Sequence, residues 1–219
     1  MVVRHFIFDL DNTLYPATAR MDAGITRRMI EFAARVTGVS IEETMRLRQA
    51  ALRKYSTTGD WLRYEYGQED YEAYFAAVHP ESELEELDFD PQLRPFLQSL
   101  PQSKVILTNA PLEHAIRVLD FMRVSDLFDG ISDIRSNRLR GKPSPAAFAQ
   151  ALEMCGGTVE DTLFLDDLKK YVDGYNAIGG KGILVNAHLN DGFVIEKGGE
   201  IILKSVYQIT KLLPKTIDL

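Results

Sequence analysis

Five short apolar runs separated by stretches of helical period leave this chain few ways to fold. Val2–Phe8, Lys104–Leu107, Gly130–Ile134, Thr162–Leu165 and Gly182–Val185 read as strands. Between and around the last four, Leu93–Leu100, Leu112–Met122, Pro145–Met154 and Tyr171–Ile178 carry the 3.6-residue period of helices. Apolar runs without polar alternation suit strands covered on both faces. Their alternation with helices predicts an α/β fold with a doubly wound parallel sheet.

The first strand is separated from the rest by a long helical block. After Tyr15-Pro16, the positions Met21, Ile25, Met29, Ile30, Phe32, Ala33 and Val36 keep a helical period up to Gly38. Further helices are predicted over Ile41–Tyr55, Trp61–Tyr66 and Asp70–Val78. The acidic run from Glu81 to Asp90, closed by Pro91, reads as a solvated hinge that returns the chain to the core. The expected organisation is an α/β core over 1–15 and 88–219, with a helical insertion over 16–87. Towards the end, Phe193–Ile195 and Ile201–Leu203 read as short strands, and Ser205–Leu213 as a closing helix before Pro214.

Composition narrows the partners. With 219 residues and 45% hydrophobic content, the chain can bury a core and still carry an insertion. A net charge of −7 argues against a nucleic-acid polymer, because such partners select a basic face. Cys155 is the single cysteine, so neither a disulfide framework nor a thiolate metal site can form within the chain, and it reads as a buried apolar filler. The start lacks the pattern of a secretory signal, and no apolar run reaches the ~18 residues needed to span a bilayer. The expectation is a cytoplasmic monomer or homodimer with no membrane partner, and any phosphate that it binds should be small and locally recognised. His5, His79, His114 and His188 are scattered without metal-ligand spacing and read as surface or core residues.

The chemistry is concentrated where strands end. Asp9-Leu10-Asp11-Asn12-Thr13-Leu14 follows the first strand. An ionised Asp9 there can attack phosphorus and hold a hard cation such as Mg²⁺. Asp11 can protonate the leaving oxygen and later take a proton from water, provided its own proton is retained by a raised pKa or by hydrogen bonding. Thr108-Asn109 closes the second strand, where a hydroxyl and free N–H groups cradle a phosphate oxygen. Lys142, in Gly141-Lys142-Pro143, offers a cation to balance the gathered negative charge, and Asp166-Asp167 adds carboxylates at the same sheet edge. Asn12 and Asn109 are close enough in sequence to touch substrate.

These four segments, in this order, resemble the haloacid dehalogenase-like (HAD) hydrolase superfamily, in the subfamily I group with a helical cap inserted after the first motif. Asp9-Leu10-Asp11-Asn12-Thr13-Leu14-Tyr15-Pro16, with Tyr55-Ser56-Thr57-Thr58 and Val78-His79, is most similar to its pyrimidine 5′-nucleotidase-like branch. The resemblance implies a Rossmann-like core and a Mg²⁺-dependent phosphomonoester hydrolase acting through an aspartyl phosphate on a small phosphometabolite, with a pyrimidine nucleoside 5′-monophosphate favoured. It makes Asp9 the nucleophile and a metal ligand, and Asp11 the acid/base whose carbonyl also meets the metal. Thr108 and Lys142 become phosphoryl ligands, and Asp167 with Asp166 completes the metal site. Many relatives place a small hydroxyl residue after the last metal acid and an Asp or Asn four positions beyond that acid. Leu168 and Tyr171 stand in those places here.

A phosphomutase, a 2-haloacid dehalogenase and a catalytically silent phosphate-binding module are the competing readings. The dehalogenase needs no acid at the position of Asp11. Tyr15, Tyr55, Thr57, Thr58, Trp61, Tyr64 and Tyr74 are the candidates for reading a leaving group.

Overall fold

The structure is a computed structural model that describes residues 2–190, 192–195 and 199–213. Strands β1 (His5–Phe8), β2 (Ser103–Leu107), β3 (Gly130–Ser132), β4 (Thr162–Asp166), β5 (Lys181–Val185), β6 (Phe193–Ile195) and β7 (Ile201–Leu203) form one sheet in the order β3-β2-β1-β4-β5-β7-β6. All neighbours are parallel except β6 on β7. The fold is the expected doubly wound α/β type, with an antiparallel edge.

β1 lies between β2 and β4, with Phe8 opposite Ile106 on one side and Leu165 on the other. From β1 the chain moves towards β3, and from β4 it moves the opposite way. The carboxyl ends of β1 and β4 therefore flank a topological switch point, where open α/β sheets bind their ligands.

Between β1 and β2 lie α1 (Arg20–Thr37), α2 (Ile41–Ala51), α3 (Thr58–Tyr66) and α4 (Tyr71–Val78). Local chemistry sets their limits. Gly38 takes φ 73°, open to glycine without penalty, and donates to Ala34 O to close α1. Ser40, Thr57 and Asp70 cap the next three helices by accepting from the N–H of Glu43, Asp60 and Ala73. The Thr57 cap starts α3 ahead of the Trp61 expected from periodicity. A single apolar cluster runs from Phe6 and Phe8 through Leu10 and Leu14 to Met21, Trp61, Tyr74 and Phe75, so the inserted helices share a core with the sheet.

Of the remaining helices, α5 (Leu93–Gln98) and α6 (Leu112–Phe121) join that cluster, whereas α7 (Pro145–Cys155) and α8 (Lys169–Ala177) cover the opposite side. On the other face of the sheet, Ile7, Val105 and Leu107 pack with Ala147, Phe148 and Tyr175, and Cys155 is buried in that cluster. The expected strand over Gly130–Ile134 stops at Ser132, because Asp133 turns back to accept from the N–H of Arg135 and Ser136. The expected closing helix is present as a 3-10 helix over Val206–Lys211, opened by a Ser205–Gln208 capping box, and Pro214 lies outside the described residues. No helix among the described residues is long and apolar enough to cross a membrane.

The acidic return is the main correction. Glu81–Glu86 forms a 3-10 turn, and Glu83 within it is fully buried, so the run is not merely a solvated hinge.

Candidate active site

The sheet delivers two carboxylates and a third follows at once. Asp9 extends β1 by donating its N–H to Leu165 O at 2.9 Å, Asp166 ends β4, and Asp167 is the next residue. Carboxylate oxygens of all three lie within 4.8 Å of one another. Lys142 enters this cluster fully buried, with Nζ 2.5 Å from Asp9 Oδ1 and 2.6 Å from Asp166 Oδ2. Its ammonium also rests 5.1 Å from the Tyr171 ring centroid and 5.6 Å from that of Phe164.

Asn109 is what places the lysine. Its Oδ1 accepts from Lys142 N–H at 2.7 Å and its Nδ2 donates to Lys142 O at 3.1 Å, a reciprocal pair with the backbone. Gly141 permits this approach, since a Cβ there would sit 2.1 Å from Asn109 Oδ1. The same Nδ2 also meets the Tyr171 hydroxyl at 3.1 Å. Asn109 thus scaffolds the Lys142 loop while also lining the substrate cavity.

The electrostatics follow from burial. Burial and the neighbouring carboxylates push Asp9 well above its ordinary value against the pull of Lys142, and Asp166 is raised by burial too. Burial and then Asp166 lift Asp167 to about 7. Burial alone would discharge Lys142, but Asp166 and Asp9 hold its proton firmly. Three crowded carboxylates form an oxygen donor set that fits a hard divalent cation. Leu168, at the position where the resemblance led to the expectation of a hydroxyl, supplies a backbone N–H to Asp166 Oδ1 at 2.8 Å. Tyr171 donates to Ser56 O at 3.1 Å, tying the Lys142 loop to the inserted helices instead of completing a metal shell.

Thr108, 1% exposed at the end of β2, lines the same cavity and accepts from Ala110 N–H at 3.0 Å. Asn12 adopts φ 66°, a left-handed conformation that asparagine tolerates better than most residues, and donates to Asp22 Oδ1 at 2.9 Å. Its Oδ1 is buried with no partner among the described residues.

Asp11 departs from expectation. His114 Nε2 donates to Asp11 Oδ1 at 2.7 Å, and the Tyr15 hydroxyl donates to the same oxygen. Burial raises the Asp11 carboxyl, but His114 more than offsets this and leaves it below its ordinary value. A raised carboxyl, one of the two conditions set for Asp11 to keep a proton, is therefore not met. Burial works against charge on His114 too, yet Asp11 and Glu83 lift it to about 9.

Three groups missed by sequence reasoning stand behind this contact. Glu83 Oε1 accepts from His114 Nδ1 at 2.8 Å and from Arg117 at 2.6 Å, while its Oε2 accepts from His79 Nδ1 at 3.0 Å. His114 and Arg117 lie on the helix that follows Thr108-Asn109, which is a usable signal. Glu83 had none, because one buried acid looks like its exposed neighbours in an acidic run.

Above these groups is a cavity of about 380 Å³ shared between the sheet edge and the inserted helices. Tyr15, Thr57, Thr58 and Tyr74 line it as expected, whereas Tyr55, Trp61 and Tyr64 do not. Tyr55 stacks on Tyr64, and Trp61 donates to Glu65. Arg48 and Tyr71 line the cavity and were not anticipated.

A profile of the haloacid dehalogenase-like hydrolases matches residues 3–169, which spans β1, the inserted helices and the strand ends carrying these groups. The chain belongs to that hydrolase family. The HAD chain is 27% identical to Phosphate metabolism protein 8 of Saccharomyces cerevisiae over 74% of its own length and 55% of the relative's, so it spans about half of that protein. A HAD phosphatase from Thermococcus onnurineus superposes with TM-score 0.65 at 18% identity, covering 97% of each chain. A magnesium-bound HAD hydrolase from Bacillus subtilis superposes at 0.63 and 15% identity, over 97% of this chain and 99% of that one. At such identities these neighbours speak for the fold of the HAD chain alone.

Proposed function

We propose that this HAD hydrolase is a phosphomonoester phosphatase that uses Mg²⁺ and transfers the phosphoryl group to Asp9 before water removes it. The observation that carries the reading is the pairing of Lys142 with Asp9 at 2.5 Å beside a second carboxylate, Asp11, held two residues on. A nucleophile, a cation for the phosphoryl oxygens and a separate acid/base are what phosphoryl transfer needs. Attack on carbon–halogen bonds would leave Asp11 and the Asp166–Asp167 cluster without a task.

A phosphate ester entering the cavity sets its phosphorus against Asp9, with oxygens towards Lys142 and Thr108. Asp9 bonds to phosphorus as the ester O–P bond breaks, and the leaving oxygen takes its proton from Asp11. The incoming dianion raises Asp11 towards the protonated state needed for that step. The downward pull of His114 on the Asp11 carboxyl suits the next step, in which Asp11 takes a proton from the water that releases phosphate. Asp9, Asp166, Asp167 and the Asp11 carbonyl would hold Mg²⁺, which supplies positive charge against the transferring oxygens.

The inserted helices serve as the cap, residues 16–87, closing over bound substrate to exclude water; interdomain movement is described for the magnesium-bound Bacillus subtilis relative. The cavity's tyrosines and Arg48 suit a planar, hydrogen-bonding leaving group, and a pyrimidine nucleoside 5′-monophosphate is the substrate favoured. Its volume is in the range of small-molecule sites, roughly 300–1,000 Å³. The test is phosphate release with Mg²⁺ from UMP, CMP, dUMP, AMP, GMP, sugar phosphates and pyridoxal phosphate, with Asp9→Asn in parallel. Preference for pyrimidine monophosphates that vanishes in Asp9→Asn supports the reading. Preference for another ester discards the substrate, and absence of Asp9-dependent release discards the activity.

A further inference from the structure

Two donors grip one oxygen of Asp11. The Tyr15 hydroxyl and His114 Nε2 both meet Oδ1, and Oδ2 has no hydrogen-bond partner among the described residues. A carboxylate pinned through one oxygen presents the other in a fixed direction, and Asp11 lines the substrate cavity.

The grip is itself braced. His114 is fully buried, and its second nitrogen is held by Glu83, also fully buried. Glu83 is fixed in turn by Arg117 at 2.6 Å and His79 at 3.0 Å, and Arg117 also donates to His79 O at 2.8 Å. His79 closes α4, and Glu83 lies in the turn that leads out of the inserted helices. Arg28 on α1 donates to Val78 O at 2.7 Å and to Glu86 Oε2 at 2.8 Å, fastening the helical block to that turn.

Two plainer readings fit less well. His79, Glu83 and His114 could in principle hold a metal. Both histidine Nδ1 atoms and both Glu83 oxygens are already spent on one another, however, and the Arg117 cation is 2.6 Å from the same carboxylate. A purely structural polar cluster would have no reason to end on a carboxylate that lines the cavity two residues from Asp9.

We propose that His114, braced by Glu83, is a positioning residue that fixes the Asp11 carboxylate for proton transfer and links its direction to the seam between the inserted helices and the sheet. The inference rests on the phosphatase reading, in which Asp11 serves the leaving oxygen and the hydrolytic water. Loosening Asp11 should then hurt poor leaving groups far more than good ones, because p-nitrophenolate departs without a proton.

The experiment compares wild type, Asp11→Asn, His114→Phe, His114→Gln and Glu83→Gln on p-nitrophenyl phosphate and on the best alkyl phosphate of the substrate panel, with thermal melts alongside. For His114→Phe, kcat on the alkyl ester should fall roughly 100-fold with KM within about threefold. Rapid mixing with p-nitrophenyl phosphate should show a nitrophenolate burst close to one per enzyme, its rate reduced less than about tenfold, since only the later hydrolysis needs the base. His114→Gln, which keeps an N–H for Asp11, should recover part of the loss, and Glu83→Gln should show the same contrast more weakly. If His114→Phe does not fold, the other two variants carry the comparison. Equal losses on both esters without a burst, or unchanged rates, overturn the positioning role and leave the phosphatase standing. Absence of Asp9-dependent release in the wild type overturns both.

Discussion

Lys142 and Asp9 meet at 2.5 Å although 133 residues separate them in the chain. The contact is buried and ends in a cluster that also contains Asp166 and Asp167, so the ammonium is the nearest compensation for crowded negative charge. Lys142→Met keeps most of the side-chain volume and removes that charge. Breaking a buried ion pair costs about 3–5 kcal/mol, and the expected loss of melting temperature is roughly 6–20 °C for a chain of this size. Phosphate release should drop at least ~100-fold. Scanning calorimetry and a phosphate assay check both numbers, and an unshifted melt would mean that the pair contributes nothing to stability.

Gly141 governs the same contact from a distance. A Cβ there would approach Asn109 Oδ1 to 2.1 Å, Asn109 Cγ to 2.6 Å and Ile134 Cδ1 to 2.8 Å. Gly141→Ala must therefore push Asn109 off the Lys142 backbone or move the loop. The expected result is a loss of about 1–3 kcal/mol in urea unfolding and a kcat reduced by roughly tenfold or more, with Asn109→Ala giving a similar kinetic loss. If Asn109→Ala is active while Gly141→Ala is not, the amide does not place the lysine.

The strand ends were legible in the sequence because apolar runs and the polar residues after them are local signals. Asp9, Asp11, Thr108, Lys142 and Asp166-Asp167 all meet at one sheet edge for that reason. The hold of Asn109 on the Lys142 backbone was not legible, because sequence shows a polar tip and not its partner. Glu83 was hidden more deeply. Its burial depends on a 3-10 turn that brings it against His114, 31 residues on, and no periodicity announces such a contact. The Asp11 pKa went the other way for the same reason, since His114 is what lowers it. Helix ends were misplaced where a cap decided them, as at Thr57.

His79 gives the fold a defined acid response. Burial, then His114, pushes its imidazole down to about 4, against the upward pull of Glu83 and Asp11, with Arg117 bound to the same Glu83. Because the folded value lies below the unfolded one of about 6.5, the unfolded chain takes up a proton first. Stability from this residue is thus complete above pH 6.5 and is lost as pH falls towards 4, by about 3 kcal/mol in all. Glu83, held far below its ordinary value, adds its own loss as pH falls into and below the range where a free glutamate protonates. Urea unfolding at pH 7, 6 and 5 should show a stability slope that is shallower in His79→Gln by up to one proton. Parallel slopes in the two proteins would show that His79 titrates normally in the fold.

The carboxylate cluster makes a metal test possible without turnover. Asp9, Asp166 and Asp167 offer oxygens within 4.8 Å of one another, whereas Asp11 is turned through Oδ1 to Tyr15 and His114 and would offer the metal only its carbonyl. Mg²⁺ at 100 times its Kd should therefore stabilise the folded chain by about 2.7 kcal/mol, read as a rise in melting temperature of roughly 5–10 °C. Asp167→Asn should abolish most of that rise, because Asp167 contributes charge without being tied to Lys142. Asp11→Asn should retain it while losing phosphate release, since its side chain serves proton transfer and not the metal. A magnesium shift that survives in Asp167→Asn but disappears in Asp11→Asn would reverse the two assignments, and EDTA-treated protein with full phosphate release would remove the metal from the reaction.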